Sequence, residues 1–178
     1  MSAPEKVEPL RIGVMSDTHG NRTLMHRVAD LMTGKLGATV IIHAGDDYPD
    51  ALDLQLYGHD VRMVPGLWCR EYHNPRVPKR IHEVFRGVSI ACAHTEKDLL
   101  HQEYAAAIII TGHTHVARIE HIGLSLYFNP GHLKALYDRG QDASFGMLHV
   151  DEQKVVAAIH ELTGGVRTEQ VILRSGLA

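Results

Sequence analysis

The chain has 178 residues, 44% of them hydrophobic and 22% charged, an ordinary globular composition that can bury a core without staples. Its formal net charge is −3 and its Lys and Arg are scattered, which argues against a nucleic-acid module driven by phosphate electrostatics. Two cysteines, Cys69 and Cys92, exclude a disulfide framework and suit a reducing compartment.

Met1 to Pro9 is polar, carries Pro4 and Pro9, and lacks the apolar centre of a signal peptide. It reads as a disordered arm, residues 1–9, ahead of one domain over 10–178. Leu10 to Met15 is an apolar run that reads as a buried first strand, ending at Ser16-Asp17. Asn21 is an N-cap candidate for a helix from about Arg22 to Leu36, with Leu24, Val28, Leu31 and Met32 at helical spacing. Thr39 to His43 predicts a second strand, Asp50 to Leu56 a short helix, and Val61 to Val64 a third strand. Pro65, Pro75 and Pro78 make 65–80 an irregular loop.

Arg80 to Phe85 and Val88 to Ala93 predict a hairpin turning at Arg86-Gly87. A helix is expected over Glu96 to Ala105 and a strand over Ala106 to Ile110. Val116 to His121 and Leu124 to Phe128 form a second expected hairpin, Phe145 to Val150 and Val155 to Leu162 a third, and Glu169 to Leu173 a last edge strand. The alternation of strand and helix in the first third implies right-handed parallel crossovers, and the later hairpins imply antiparallel pairing. Two packed sheets covered by helices fit this order. The longest apolar stretch, Ala105 to Ile110, is far too short to span a bilayer, so a cytoplasmic protein is expected.

Metal-binding residue types recur where these strands end: Asp17-Thr18-His19, Gly45-Asp46, His94, and Gly112-His113-Thr114-His115. Carboxylate and imidazole bind borderline divalent transition metals, and the rim of a sheet is where α/β proteins bind ligands. Asp17 and His19, two apart, face one side of an extended strand and can reach one ion; the competing reading is a turn Asp that caps a helix. Asn21 opens a helix whose N-terminus could receive phosphate, or is simply its cap. Asp46 could bridge two ions, while Asp47 reads as loop and His43 as a core or supporting histidine. His94 is a ligand candidate or a strand-terminal histidine in solvent. His113 and His115 can each address a different ion. Of the 14 histidines, His26, His59, His82, His101, His121, His149 and His160 read as surface or satisfied core residues.

In this order the motifs resemble the calcineurin-like metallophosphoesterase superfamily, whose pattern is D-x-H, G-D, G-N, H and G-H-x-H, and most closely its small prokaryotic phosphodiesterase branch. The resemblance runs from Leu10 to Leu173 and includes Asn129-Pro130-Gly131 after the G-H-x-H hairpin. It implies a four-layer αββα sandwich of two mixed β-sheets flanked by helices. It also implies that Asp17, His19 and His115 hold a first metal, that His94 and His113 hold a second, and that Asp46 bridges them. The implied reaction is hydrolysis of a small phosphodiester by a metal-bridging hydroxide, with Asp46, His94 and His113 at the reacting centre. Two divalent ions are implied, Mn(II) foremost; the mixed N/O donors also suit Fe, Co, Ni or Zn. No membrane and no long nucleic acid are expected as partners, and a homo-oligomer is compatible with the sequence.

One motif departs from the family. Where G-N is expected the chain reads Pro65-Gly66-Leu67-Trp68-Cys69-Arg70-Glu71, and Leu67 cannot coordinate. Cys69 is either a replacement ligand or a packing cysteine beside a weaker second site; Arg70 is a candidate phosphate contact or a solvated arginine. His132 stands where the branch has serine and is expected to reshape the substrate rim. The alternative to an enzyme is a binding module, because the retromer small subunit shares this fold and acts as a scaffold.

Overall fold

A computed structural model describes residues 8–178. The expected arm falls almost wholly on residues 1–7, which lie outside the described residues.

The strands β1 (Leu10–Met15), β2 (Val40–His43) and β3 (Val61–Met63) run parallel, connected by α1 (Arg22–Asp30) and α2 (Tyr48–Leu56). They are extended by the antiparallel strands β11 (Ser144–Val150), β12 (Lys154–Glu161) and β13 (Val166–Leu173) into a six-stranded sheet ordered β13-β12-β11-β1-β2-β3. A second sheet, ordered β4-β5-β6-β8-β7, joins β4 (Arg80–Phe85), β5 (Val88–Ala93), β6 (Ile108–Ile110), β7 (Arg118–Ile122) and β8 (Ser125–Asn129). β9 (Tyr137–Asp138) and β10 (Gln141–Asp142) form a small separate hairpin.

Alternation along the strands explains why two sheets pack face to face. Ile12 and Val14 of β1, Val40 and Ile42 of β2, Val88, Ile90 and Cys92 of β5, Ile108 and Ile110 of β6 and Leu126 and Phe128 of β8 all enter one core between the sheets. The intervening residues face outward. Met15, Ile41, Phe145 and Met147 meet Leu24, Met25, Val28 and Met32 of the first helical segment and Leu54 of α2. Gly13 is part of this fit, since a Cβ there would fall 2.6 Å from Met32 Sδ.

The sandwich expected from the sequence is thus present, with one layer thinned. Ala91, Ala93 and Ile109 on the outer face of the second sheet are covered by Leu99 and Ala106 on short turns. The helix expected over 96–105 is instead two 3₁₀ turns, Glu96–Asp98 and Glu103–Ala105. Side-chain anchors override local helix propensity here. Asp98 is held by the hydroxyls of Thr95 and Tyr72, and buried Glu103 accepts the Leu100 N–H and an amide hydrogen from Gln102. The first helix also departs in detail: after Asp30 it continues as a π-helical turn, Leu31–Lys35. The 65–80 loop holds one further 3₁₀ turn, Arg70–His73. No helix is long and apolar enough to cross a membrane among the described residues.

Candidate metal centre

The parallel strands place the candidate residues at one rim. β1 delivers Asp17 and His19, β2 delivers Asp46, β5 delivers His94, and the loop after β6 delivers His113 and His115. Side chains from both sheets therefore meet where the strands end. Four of these residues, Asp17, His19, His113 and His115, have left-handed backbone with φ between 46° and 66°. Such conformations are costly for residues other than glycine and cluster at functional sites.

Asp17 is fully buried. Its Oδ2 accepts the Ser16 hydroxyl at 2.6 Å and the His113 N–H at 2.9 Å, and its Oδ1 lies 3.3 Å from His115 Nε2. Ser16 also reaches the Gly45 carbonyl, which accepts the Asp17 N–H, so β1 and β2 are tied together at the rim. Burial alone would raise the Asp17 carboxyl; the adjacent His115 and His94 imidazoles and the Ser16 hydroxyl outweigh it and hold the pKa below its ordinary value. His115 is shifted the other way, upward, chiefly by the Asp17 carboxylate beside it.

Asp46 lies between two imidazoles. Its Oδ2 is 3.3 Å from His19 Nε2 and its Oδ1 is 3.2 Å from His94 Nε2. This carboxylate has room only because Gly66 has no side chain: a Cβ there would fall 1.6 Å from Asp46 Oδ1. Gly112 does the same on the other wall, where an added Cβ would fall 2.0 Å from Ser16 Oγ and 2.8 Å from Asp17 Oδ2.

Two of the ring nitrogens facing this cluster are acceptors. His94 Nδ1–H donates to the Ala44 carbonyl at 2.7 Å, leaving Nε2 as an acceptor. His115 Nδ1–H donates to Asp138 Oδ2 at 2.6 Å, which fixes its tautomer in the same way. Its Nε2 then faces His19 Nε2 at 3.1 Å. Three buried polar atoms, Asp17 Oδ1, Asp46 Oδ1 and His94 Nε2, have no hydrogen-bond partner. Buried acceptors without donors are unfavourable, and a cation among them would satisfy all three. The donors form two groups whose ligand atoms lie within 4.8 Å of one another: Asp17, His19 and His115, and Asp17, Asp46 and His94. The residues present therefore fit divalent metal.

The remaining candidates fall around this centre. His113 is exposed, with its ring centroid 5.2 Å from that of His94, and belongs to neither compact group. Cys69 is buried, its sulfur accepts the Tyr48 N–H at 3.4 Å, and it too lies outside both groups. Burial pushes its thiol up. Asn21 uses both ends of its amide structurally, accepting from Leu24 N and donating to the Lys134 carbonyl. Arg70 is exposed, beside Glu71 and Asn74. His132 is wholly buried, stacked on His115 at 5.3 Å, so the expectation that it shapes the substrate rim is corrected: it backs a candidate ligand.

His43 is the supporting histidine that its place within a strand suggested. It is buried, accepts the Gly45 N–H at Nδ1, and burial lowers its pKa to about 4. Sequence reasoning missed Ser16, Asp50 and Asp138. Asp50 receives the Thr18 hydroxyl, the Gly20 N–H and Arg22 Nε, and so fixes the turn that carries His19. Asp138 arrives from the β9–β10 hairpin, whose turn residues Arg139 and Gly140 both have positive φ.

A two-sheet sandwich with such a rim agrees with the comparisons to known proteins. The family model described as the calcineurin-like phosphoesterase superfamily domain matches residues 10–153, and the chain belongs to that family. No curated protein sequence matches it. Among solved structures, a predicted phosphoesterase from Streptococcus pneumoniae superimposes with a TM-score of 0.71 at 22% identity, covering 94% of this chain and 99% of its own. An archaeal phosphodiesterase gives 0.64 at 20% identity over 92% of this chain and 100% of its own. Vps29 from Entamoeba histolytica, solved with Zn²⁺, gives 0.66 at 18% identity over 93% and 99%. At these identities the likeness is one of fold.

Proposed function

We propose that this protein is a divalent-metal-dependent phosphodiesterase acting on a small phosphodiester. The observation that carries the reading is the convergence of Asp17 Oδ1, Asp46 Oδ1 and His94 Nε2, all buried and all without partners. Asp17, His19 and His115 would hold one cation; His94 and the rim residue His113 would hold a second, with Asp46, which lies between His19 and His94, shared by both. Bound divalent ions supply Lewis acidity toward phosphoryl oxygens and lower the pKa of a water.

The chain's own residues prepare that centre. The Ala44 carbonyl and Asp138 hold the Nδ1 protons of His94 and His115, so that both Nε2 atoms point inward without one. Ser16 and the His113 N–H fix the Asp17 carboxylate from behind. His113, exposed beside His94, is placed to meet a substrate arriving from solvent. Cys69 is left out of the ligand set, because its sulfur is engaged by Tyr48 N. Mixed nitrogen and oxygen donors favour Mn(II), Fe, Co, Ni or Zn over Ca or Mg, and Mn(II) is the ion proposed. Both cysteines are free, in keeping with the cytoplasmic setting proposed.

The Vps29 likeness supports a second reading, a protein-binding scaffold on the same fold. The test is hydrolysis of bis(p-nitrophenyl) phosphate by chelated protein with and without added Mn(II). Turnover that appears only with Mn(II) supports the phosphodiesterase. A folded protein that binds Mn(II) yet hydrolyses neither diesters nor monoesters supports the scaffold.

A further inference from the structure

A cavity of about 360 Å³ opens beside the metal centre. Leu67, Tyr72, Thr95 and the loop that carries Gly112 and His113 line it, together with the charged residues Glu96 and Lys97. It borders the donor cluster: Gly112 and His113, which line it, both meet Asp17, a Cβ on Gly112 falling 2.8 Å from Oδ2 and the His113 N–H donating to the same oxygen at 2.9 Å. Leu67 and Tyr72 are half-buried, presenting an aliphatic and an aromatic face to it. Several polar groups around it are already committed. The Tyr72 hydroxyl donates to Asp98 Oδ1 at 2.6 Å, Thr95 Oγ1 donates to Asp98 Oδ2 at 2.9 Å, and Glu96 Oε1 accepts from Arg118 at 3.1 Å.

We infer that this cavity is the subsite for one ester group of the diester, and that it selects an uncharged aromatic group of phenyl to nucleoside size. The inference rests on the phosphodiesterase reading and deepens it. Three physical points set the ligand class. The volume is in the range of small-molecule pockets and far exceeds what a methyl ester would fill. The free surface is apolar and aromatic, which rewards an aromatic ring by area burial and stacking. Glu96 and Lys97 both line the cavity and Glu96 is paired with Arg118, so the lining offers no net positive charge to hold a second anionic group, and an uncharged substituent fits it best. Leu67, which cannot coordinate metal, thereby gains a role at the position where the family motif has asparagine: it forms the apolar wall of the subsite.

The test uses the full chain with Mn(II) present and two probes of equal charge, diphenyl phosphate and dimethyl phosphate, with dissociation constants read by equilibrium dialysis. Diphenyl phosphate is expected to bind the wild type at least about tenfold more tightly, in line with the pocket value of an added apolar group. In Leu67→Gln, which keeps length but removes the apolar wall, and in Leu67→Ala, which removes its bulk, that advantage falls below about threefold while dimethyl phosphate binding is unchanged. Equal binding of the two probes by the wild type overturns the subsite, as does an advantage that survives in both variants. The outcome is separable from the phosphodiesterase reading. A tenfold aryl preference without Mn(II)-dependent hydrolysis supports the cavity and removes the enzyme; hydrolysis without any aryl preference overturns the cavity alone.

Discussion

His115 Nδ1 and Asp138 Oδ2 are 2.6 Å apart, joined across 23 residues of chain. Asp138 is itself held by Lys134 Nζ at 3.0 Å, and Lys134, followed by the His115 bond, brings its pKa down to about 2. The carboxylate therefore remains ionised and keeps the His115 proton on Nδ1. Carboxylates behind metal-ligating histidines typically contribute about 10–100-fold in metal affinity. Asp138→Asn is expected to weaken Mn(II) binding by about that factor in calorimetric titration. Unchanged affinity would show that Asp138 does not orient the ligand.

Asp46→Asn separates metal chemistry from folding. The variant is expected to lose about 100-fold or more in diester hydrolysis, because the group between His19 and His94 no longer carries charge. In chelated protein its melting temperature should equal or exceed the wild type, since a buried carboxylate oxygen without a partner is unfavourable. A clear loss of stability without metal would mean that Asp46 is structural.

Gly66→Ala probes the space that Asp46 occupies. A methyl group 1.6 Å from Asp46 Oδ1 must displace the carboxylate or the loop. Metal stoichiometry measured by elemental analysis is expected to fall while secondary structure by circular dichroism is retained. Full metal content in this variant would refute the close packing at Gly66.

Cys69→Ser addresses the residue beside the departed motif. The sulfur accepts the Tyr48 N–H and lies outside both donor groups, and serine can accept the same bond. Metal content and turnover are expected to stay within about twofold of wild type, as for a substitution that preserves its one contact. Loss of one ion per chain would instead assign Cys69 as a ligand.

His43 predicts an acid-sensitive fold. Burial lowers its pKa from 6.5 to about 4, so between those values the unfolded chain binds a proton that the folded chain does not. The sign follows directly: this stability is fully present above pH 6.5 and is lost as pH falls toward 4. One such proton gives a slope of about 1.4 kcal/mol per pH unit. Urea titrations across this window should show the slope reduced in His43→Gln; a wild-type slope in the variant would place its source elsewhere.

Most of the fold was legible because its central strands are continuous apolar runs, buried on both faces and bounded by turn residues. Leu10–Met15, Arg80–Phe85 and Val88–Ala93 fall where apolar runs and the Arg86-Gly87 turn put them. The 96–105 segment was not legible, because Asp98 takes a bond from Tyr72 and Glu103 lies against Arg80, partners that only tertiary structure brings close. The metal-type residues could be read from their order along the chain, since each ends a strand. Their support was harder to see. Asp138 had a signal, an Arg139-Gly140 turn like Arg86-Gly87, but two-residue strands carry too little periodicity to be recognised. Ser16 had none, because its role depends on the Gly45 carbonyl, 29 residues away.

Asp17, His19, Asp46, His94 and His115, with His113 at the rim, are the residues proposed to hold a pair of divalent cations. The most direct measurement is the number of Mn(II) ions bound per chain at equilibrium, in wild type and in Asp46→Asn. Two ions are expected in the wild type, at most one tightly held in the variant, and hydrolysis that rises with occupancy of the second. A well-folded wild type that binds no divalent ion, or whose turnover is unaffected by removing it, would contradict the account.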